Sequence, residues 1–366
     1  MIKLCIIGYN GSVHVQKWIK AIAEREEFEL SVITFNKGIQ LQGVNYYFLK
    51  KFTNTKLDYI LNISLVKKFI KKIMPDILHA HYATSYGLLG AFTGFKPYVV
   101  TGWGADIFDS PKNPFMSLVL RYALKKANII TVLSKITQQE IKKFTNKPIQ
   151  LVPFGVDLAK FNKKNNTKKL IHEIRIGTIR TLSEKYGVEY LIRAFANLYP
   201  KYPNLYLDII GDGPQKDFLQ TLAKELKVKD RVVFHGFINQ NTDFDTYITL
   251  LSNFDIFTIL STIDSETFGV AAVEAAALGL PVIGTNVGGL PEVIDNDVTG
   301  LIIKPKDVAE TTKALENLIA NPKLRIKLGE NGRKKTERLY DWDKNVDKMQ
   351  ALYQSLLNVK NKKDNR

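Results

Sequence analysis

Cysteine is nearly absent: Cys5 is the only one in 366 residues. A disulfide framework and a cysteine zinc site are therefore excluded, and a reducing compartment fits. Long hydrophobic runs are missing too. No stretch reaches the roughly 18 apolar residues a membrane-crossing helix needs. The opening MIKLCIIGYNG is broken by Gly8. It reads as a first buried strand, not as a signal peptide with a long apolar core and a cleavage site. After that strand stand only Gly8 and Gly11, so the Gly-x-Gly-x-x-Gly fingerprint of dinucleotide dehydrogenases is lacking. A Walker loop and a nucleophile elbow are lacking as well.

Acidic residues are outnumbered, 36 Asp/Glu against 52 Lys/Arg, for a net charge of +16. Residues 1–160 hold 22 Lys/Arg against 10 Asp/Glu, so most of the positive field belongs to the first half. Such a field attracts anionic partners such as nucleic acid, anionic lipid or phosphate-bearing substrates. An ordinary lysine-rich solvated surface accounts for it equally well. Hydrophobic residues make up 45% and charged residues 24%, a globular composition. The length suits two domains.

Apolar runs at 3–9, 30–35, 76–82, 98–103, 129–134 and 149–155 alternate with segments long enough for helices. Strands that are apolar throughout belong to a parallel sheet covered on both faces. Residues 162–173, NKKNNTKKLIHE, break the pattern and read as a linker or exposed loop. The alternation then restarts, with strands expected at 174–179, 205–211, 231–237, 255–261, 281–285 and 299–305. Helices are expected at 187–198, 215–227, 267–278 and 307–319. The fold class is α/β, two Rossmann-like doubly wound domains facing a cleft. The expected division is 1–160, a linker at 161–173, 174–340, and a C-terminal helix with a polar tail at 341–366. Open α/β sheets bind ligands at the carboxyl ends of their strands. A bridging substrate in such a cleft points to a transferase or a binding protein.

Four segments carry chemistry. In STIDSETFGVAAVEAAALGLPVIGTNVGGLPEVI (261–294) a strand ends, a loop carries Glu266, Thr267, Phe268 and Gly269, and a helix follows. Glu274 lies eight residues beyond Glu266, about 12 Å of rise if that stretch is helical. Retaining glycosidases need carboxyls about 5–5.5 Å apart, so that reading loses ground. The Gly269 and Val270 amides at the helix start form a natural anion site. Two carboxylates bracketing an anion site suit a nucleotide diphosphate-sugar, with Glu274 on ribose and Glu266 near the sugar. A capped surface helix is the plainer alternative. In GTIRTLSEKYGVEYLIRAF (177–195) Arg180 and Lys185 flank a loop after a strand, where two cations clamp a departing diphosphate or are merely solvated. IIGDGP (209–214), with Gly211, and FHGF (234–237), with Gly236, are strand ends that permit close backbone approach.

Together these segments have the order, spacing and strand–loop–helix context of glycosyltransferase family 4, whose fold is GT-B. The chain resembles that family over nearly its whole length, most specifically at 174–305. NGSVHVQKWIKAI (10–22), PDILHAHYATSYGLLGA (75–91) with VVTGWGADIF (99–108), LVPFGVDLAKF (151–161) and the ending YDWDKNVDKMQALYQSLL (340–357) extend the likeness. The resemblance implies that the first domain binds the acceptor, that the second binds the nucleotide-sugar, and that the last helix crosses back onto the first. Trp103 stands where many members carry a His that contacts the donor sugar. The resemblance implies a retaining hexosyltransferase that uses a nucleotide-sugar, UDP- or GDP-linked, and acts on a glycan or lipid-linked acceptor in cell-surface polysaccharide or glycolipid synthesis. Arg180 and Lys185 would neutralise the diphosphate, Glu266 would sit at the donor sugar, and Phe268, Gly269 and Val270 would line the phosphates. Glu274 would bind ribose, and Gly211 and Gly236 would lie along the donor. The Gly11 loop would close over the phosphates, and His81, Trp103 and Asp106 fall on the acceptor side. The implied reaction is front-face displacement in which the donor phosphate takes the acceptor proton.

The Asp-x-Asp pairs Asp243/Asp245, Asp295/Asp297 and Asp341/Asp343 lie in a polar loop, a turn and a helix start, so no metal is expected. His79 and His81 alternate along a strand and share a face. The stretch 57–74 reads as one amphipathic helix whose Lys67, Lys68, Lys71 and Lys72 would touch an anionic membrane, or simply face water. The expected location is cytoplasmic, up to the inner face of the cell membrane. Rivals on the same fold are a sugar phosphorylase and a sugar-nucleotide epimerase. A basic nucleic-acid-binding protein rests only on a pI near 9.5. The sequence lacks the basic-aromatic surface that reading needs, so no nucleic-acid partner is expected.

Overall fold

The computed structural model describes residues 1–162, 173–240 and 242–364, with side chains through 359. Its contacts divide it into two units, Met1–Pro153 with Lys344–Arg366, and Phe154–Asp343. The boundary falls at 153/154 and not at 160/161. The expected linker lies, except for 161, 162 and 173, outside the described residues.

The first unit is a seven-stranded sheet in the order β3-β2-β1-β4-β5-β6-β7. Its strands are β1 (Ile2–Ile7), β2 (Phe28–Thr34), β3 (Asn45–Phe48), β4 (Ile77–His81), β5 (Tyr98–Gly102), β6 (Ile129–Val132) and β7 (Ile149–Leu151). Every pairing is parallel. Ile7, Leu78, Val100 and Ile130 are fully buried and form one core with Leu89, Leu120 and Leu124 from the covering helices. β3 was not expected. Its sequence NYYF lies at the sheet edge with half-exposed rings, so it lacks the apolar run that marks the inner strands.

The single helix expected at 57–74 is two, Leu57–Leu61 and Ile63–Ile73. The break is Asn62, fully buried. Its amide donates to the carbonyls of Lys50 and Asp58 (both 2.8 Å) and its Oδ1 accepts from Lys50 N–H (2.9 Å). A polar side chain that bonds backbone in this way competes with the helix ladder.

The long helix Trp342–Asp364 joins the first unit from Lys344 onward. Tyr353 is buried with its hydroxyl 2.6 Å from His79 Nδ1, and Arg25 reaches Asp347 at 2.7 Å and Gln350 at 2.8 Å.

The second unit is a six-stranded parallel sheet in the order β10-β9-β8-β11-β12-β13. The strands are β8 (Ile174–Ile179), β9 (Leu205–Ile210), β10 (Val232–Gly236), β11 (Ile256–Ile259), β12 (Val282–Thr285) and β13 (Gly300–Ile303). The expected helices are Val188–Leu198, Lys216–Glu225, Val270–Ala277 and Val308–Ala320. Phe244–Ser252 is an additional one; its FDTYITLLS composition carries β-branched and aromatic residues of weak helix preference. Among the described residues no helix is long and apolar enough to cross a membrane.

Candidate active site

Where the strand order of an open parallel sheet reverses, adjacent loops diverge and leave a crevice at the carboxyl ends. In the second unit this point lies between β8 and β11. Arg180 leaves β8 there and Ser261 leaves β11. The guanidinium of Arg180 donates to Ser261 Oγ at 2.6 Å and forms an ion pair with Glu266. Ser261 Oγ in turn donates to Glu266 Oε2 at 3.0 Å. Only about a tenth of either charged side chain is exposed, so the pair is charge-assisted and poorly screened. Arg180 Nε is buried without a partner among the described residues.

Lys185 lies in a tight 3-10 turn, Glu184–Tyr186. The ring of Tyr186 carries both cations, Arg180 at 4.6 Å and Lys185 at 4.8 Å from its centroid. Attraction to the ring thus anchors both cations at Tyr186. Thr262 N–H donates to the Lys185 carbonyl at 2.8 Å, which ties this turn to the exit of β11.

Gly211 is required by its neighbours. Its φ is +142°, and a Cβ would meet the Arg180 carbonyl oxygen at 1.8 Å. Gly211 N–H donates to the Gly236 carbonyl at 2.8 Å, so the two expected glycines lie on adjoining strand exits. Gly236 (φ +74°) faces open space.

The loop bearing Glu266 differs from expectation. The helix starts at Val270, with Gly269 (φ +78°) as its cap, so Glu266 lies off it. The 12 Å helical rise expected between the two glutamates therefore does not apply to that stretch. The loop is shaped by the pair Gly288–Gly289. Cβ atoms there would lie 2.0 Å from the Glu266 carbonyl oxygen and 1.9 Å from that of Thr267, and Gly289 N–H donates to Glu266 O at 2.8 Å. Gly269 and Val270 begin the helix, where the first amides have no intrahelical acceptor. Phe268 turns inward, 4% exposed, with its ring edge-on to Tyr340 at 5.4 Å.

Glu274 is the one charged residue on the helix VAAVEAAA and is 3% exposed. Tyr247, from the helix Phe244–Ser252, donates its hydroxyl to Glu274 Oε2 at 2.5 Å. The Gln240 amide lies 3.3 Å from both carboxylate oxygens. Burial and the carboxylate push the Tyr247 phenol well above its ordinary range.

In the first unit the order reverses between β1 and β4. Gly8 and the loop carrying Gly11 leave β1, and His81 ends β4; a Cβ on Gly8 would lie 3.5 Å from that of His81. At Gly11 the Tyr9 ring comes closest, 2.7 Å from where a Cβ would be. Asn10 anchors this loop, donating to the carbonyls of Lys37 (2.8 Å) and Ile39 (3.1 Å). His81 is 1% exposed and neither ring nitrogen has a hydrogen-bond partner among the described residues. It lies 4.4 Å from the His79 ring and 5.8 Å from Trp103, which stacks on His14 at 5.9 Å. Burial drives the His81 imidazole down to about 3. Asp106 is fully buried and accepts the backbone N–H groups of Ala83 (2.7 Å), Gly104 (2.8 Å) and Trp103 (3.0 Å), so it shapes the exits of β4 and β5.

Among the described residues no group of three or more His, Cys, Asp or Glu side chains suits a metal ion. Of the Asp-x-Asp residues, Asp295 pairs with Lys335 at 2.8 Å, Asp243 precedes a helix, and Asp341 accepts the N–H of Asp343 at 3.1 Å.

Sequence reasoning missed Ser261, Tyr186, Tyr247 and Gln240. Ser261 closes the strand expected at 255–261 and Tyr186 stands beside Lys185, so proximity was their only signal. Tyr247 and Gln240 carried none, because their partner is 27 or more residues away.

Residues 159–335, which hold Arg180 through Glu274, match the family model for glycosyl transferases group 1, and residues 3–134 match the glycosyl transferase 4-like model. N-acetyl-alpha-D-glucosaminyl L-malate synthase of Bacillus anthracis is 28% identical, over 96% of this chain and 95% of its own. Sucrose-phosphate synthase from Thermosynechococcus elongatus superposes with a TM-score of 0.84 at 20% identity, covering 98% of this chain and all of that one. The Anabaena protein HepE in complex with UDP gives 0.80 at 20% identity, over 97% of this chain and 100% of that one. With glycosyl transferase family models matching 3–134 and 159–335 and its fold that of the GT-B enzymes, the chain is a glycosyltransferase of the GT-B type.

Proposed function

We propose that the enzyme moves a hexose-type sugar from a nucleotide diphosphate-sugar to a glycan or lipid-linked acceptor, with retention at the anomeric carbon and without a metal. The observation that carries this reading is the Arg180–Ser261–Glu266 cluster at the β8/β11 reversal, backed by Tyr186 and Lys185. Breaking the bond from the anomeric carbon to phosphate leaves negative charge on the diphosphate. Arg180 and Lys185 are fixed cations for that charge, and the Gly269 and Val270 amides add helix-terminal donors. Glu266, held by Arg180 and Ser261, is oriented to accept a hydrogen bond from a sugar hydroxyl. Glu274 receives the ribose hydroxyls. The acceptor oxygen attacks on the face the leaving group departs from, and a phosphate oxygen takes its proton. HepE solved with UDP and with UDP-glucose supports UDP as the first nucleotide to try. Acceptors in cell-surface polysaccharide or glycolipid synthesis fit the positive first half of the chain.

The test is a thermal-shift panel of UDP-, GDP- and ADP-sugars, first without metal and then with Mg²⁺. A ligand of the folded state raises the melting temperature by mass action. A shift with one donor that Mg²⁺ leaves unchanged is expected, and a shift only with Mg²⁺ overturns metal independence. With that donor, Lys185→Ala and Glu266→Ala should each lose about 10²–10³ in turnover while melting cooperatively. Near wild-type turnover in either sinks the assignment.

A further inference from the structure

The carboxylate of Glu274 is the one charge on a helix otherwise made of Ala and Val, and it is almost wholly buried. A carboxylate taken from water in that way needs strong hydrogen bonds to stay ionised and in one rotamer. Among the described residues, two of its partners come from outside its helix. Tyr247 is 1% exposed, fixed by the core, and donates a short 2.5 Å bond to Oε2. Gln240 is half-buried and straddles both oxygens at 3.3 Å, a long, evenly shared contact. The two partners are therefore unequal: one pins Oε2 firmly, the other is loose enough to yield.

From this asymmetry we infer that Tyr247 is a positioning residue that turns Glu274 toward the ribose diol of the donor, so that it sets the enzyme's preference for ribo- over 2′-deoxynucleotides. This rests on the reading of Glu274 as the ribose ligand. The phenol fixes Oε2 and with it the plane of the carboxylate. The Gln240 amide gives way when the 2′- and 3′-hydroxyls arrive. A carboxylate held in one plane meets both hydroxyls; one that rotates meets either, and the 2′-hydroxyl then counts for less.

The experiment compares binding of UDP with 2′-deoxy-UDP, and of GDP with 2′-deoxy-GDP, by calorimetry on the full chain. The wild type should prefer the ribonucleotide by about ten-fold or more, the worth of one hydrogen bond to a charged group. Glu274→Gln should abolish most of that preference. If it leaves the ratio at the wild-type value, the ribose reading itself falls. Tyr247→Phe keeps the ring and should cut the preference at least three-fold, raise donor KM and leave kcat within about two-fold. Gln240→Leu removes only the longer contact and should change the ratio less than Tyr247→Phe does; if Tyr247→Phe melts early, the same titrations are made below its melting temperature. An unchanged ratio in a folded Tyr247→Phe, with Glu274→Gln altered, overturns the proposal and spares the ribose reading. A larger loss of preference in Gln240→Leu than in Tyr247→Phe overturns it as well.

Discussion

Arg180 makes three different contacts with one planar group: a hydrogen bond to Ser261, an ion pair with Glu266 and a stack on Tyr186. Lysine keeps the charge but can neither fork nor stack in that way. Arg180→Lys is therefore expected to lower kcat at least ten-fold with the melting temperature little changed, measured on donor hydrolysis and transfer together. Gly288 serves the same loop through its backbone. It has φ +51°, and a methyl group there would lie 2.0 Å from the Glu266 carbonyl. Gly288→Ala should lower both the melting temperature and turnover. His81 tests the other unit. Unfolded, it takes a proton below about pH 6.5; folded, burial holds its pKa down to about 3. The unfolded state thus binds more protons between those values, so stability is full above about 6.5 and is lost as pH falls. His81→Leu should remove about 2 kcal/mol of the stability lost between pH 7 and pH 5, read by amide exchange in β4. At this scale the motif residues could be read because chemistry constrains their types. Ser261 and Tyr247 could not, because what defines them is a partner brought near only by folding.

The amphipathic segment shows the same limit one level up. Its periodicity announces a helix, and helix is there, but the buried Asn62 divides it and ties it to the exit of β3. The division leaves Leu57, Ile60 and Leu61 about half exposed on the short helix, next to the one that carries Lys67, Lys68, Lys71 and Lys72. Exposed apolar residues beside lysines suit an anionic bilayer, where each Lys contributes about 1 kcal/mol. Replacing the four lysines by Gln should weaken binding to phosphatidylglycerol vesicles at least ten-fold at low salt. Equal binding of the variant to anionic and neutral vesicles is the expected signature, and unchanged anionic binding refutes the surface. Inner strands were legible because burial on both faces demands continuous apolar runs. Edge strand β3 was not, since one exposed side frees its sequence from that demand.

The two sheets repeat one design. Each reverses its strand order beside its own first strand, and each exposes there a glycine-bearing exit and a buried polar group. That is why alternation of strands and helices alone gave the class of fold. It did not give the boundary. Phe154 through Asp343 belong together because Val156 exchanges backbone hydrogen bonds with Tyr340 and Trp342, and the Phe154 ring lies against Trp342 at 5.0 Å. The helix residues from Lys344 on complete the first sheet's core, through Tyr353 and Val346. The first unit is thereby discontinuous in sequence, its two pieces separated by the whole of the second. Domains normally mature from the amino end as they leave the ribosome. Here the earlier-made unit lacks part of its interior until some two hundred further residues have been polymerised, while the later-made unit, unbroken in sequence, has all it needs first.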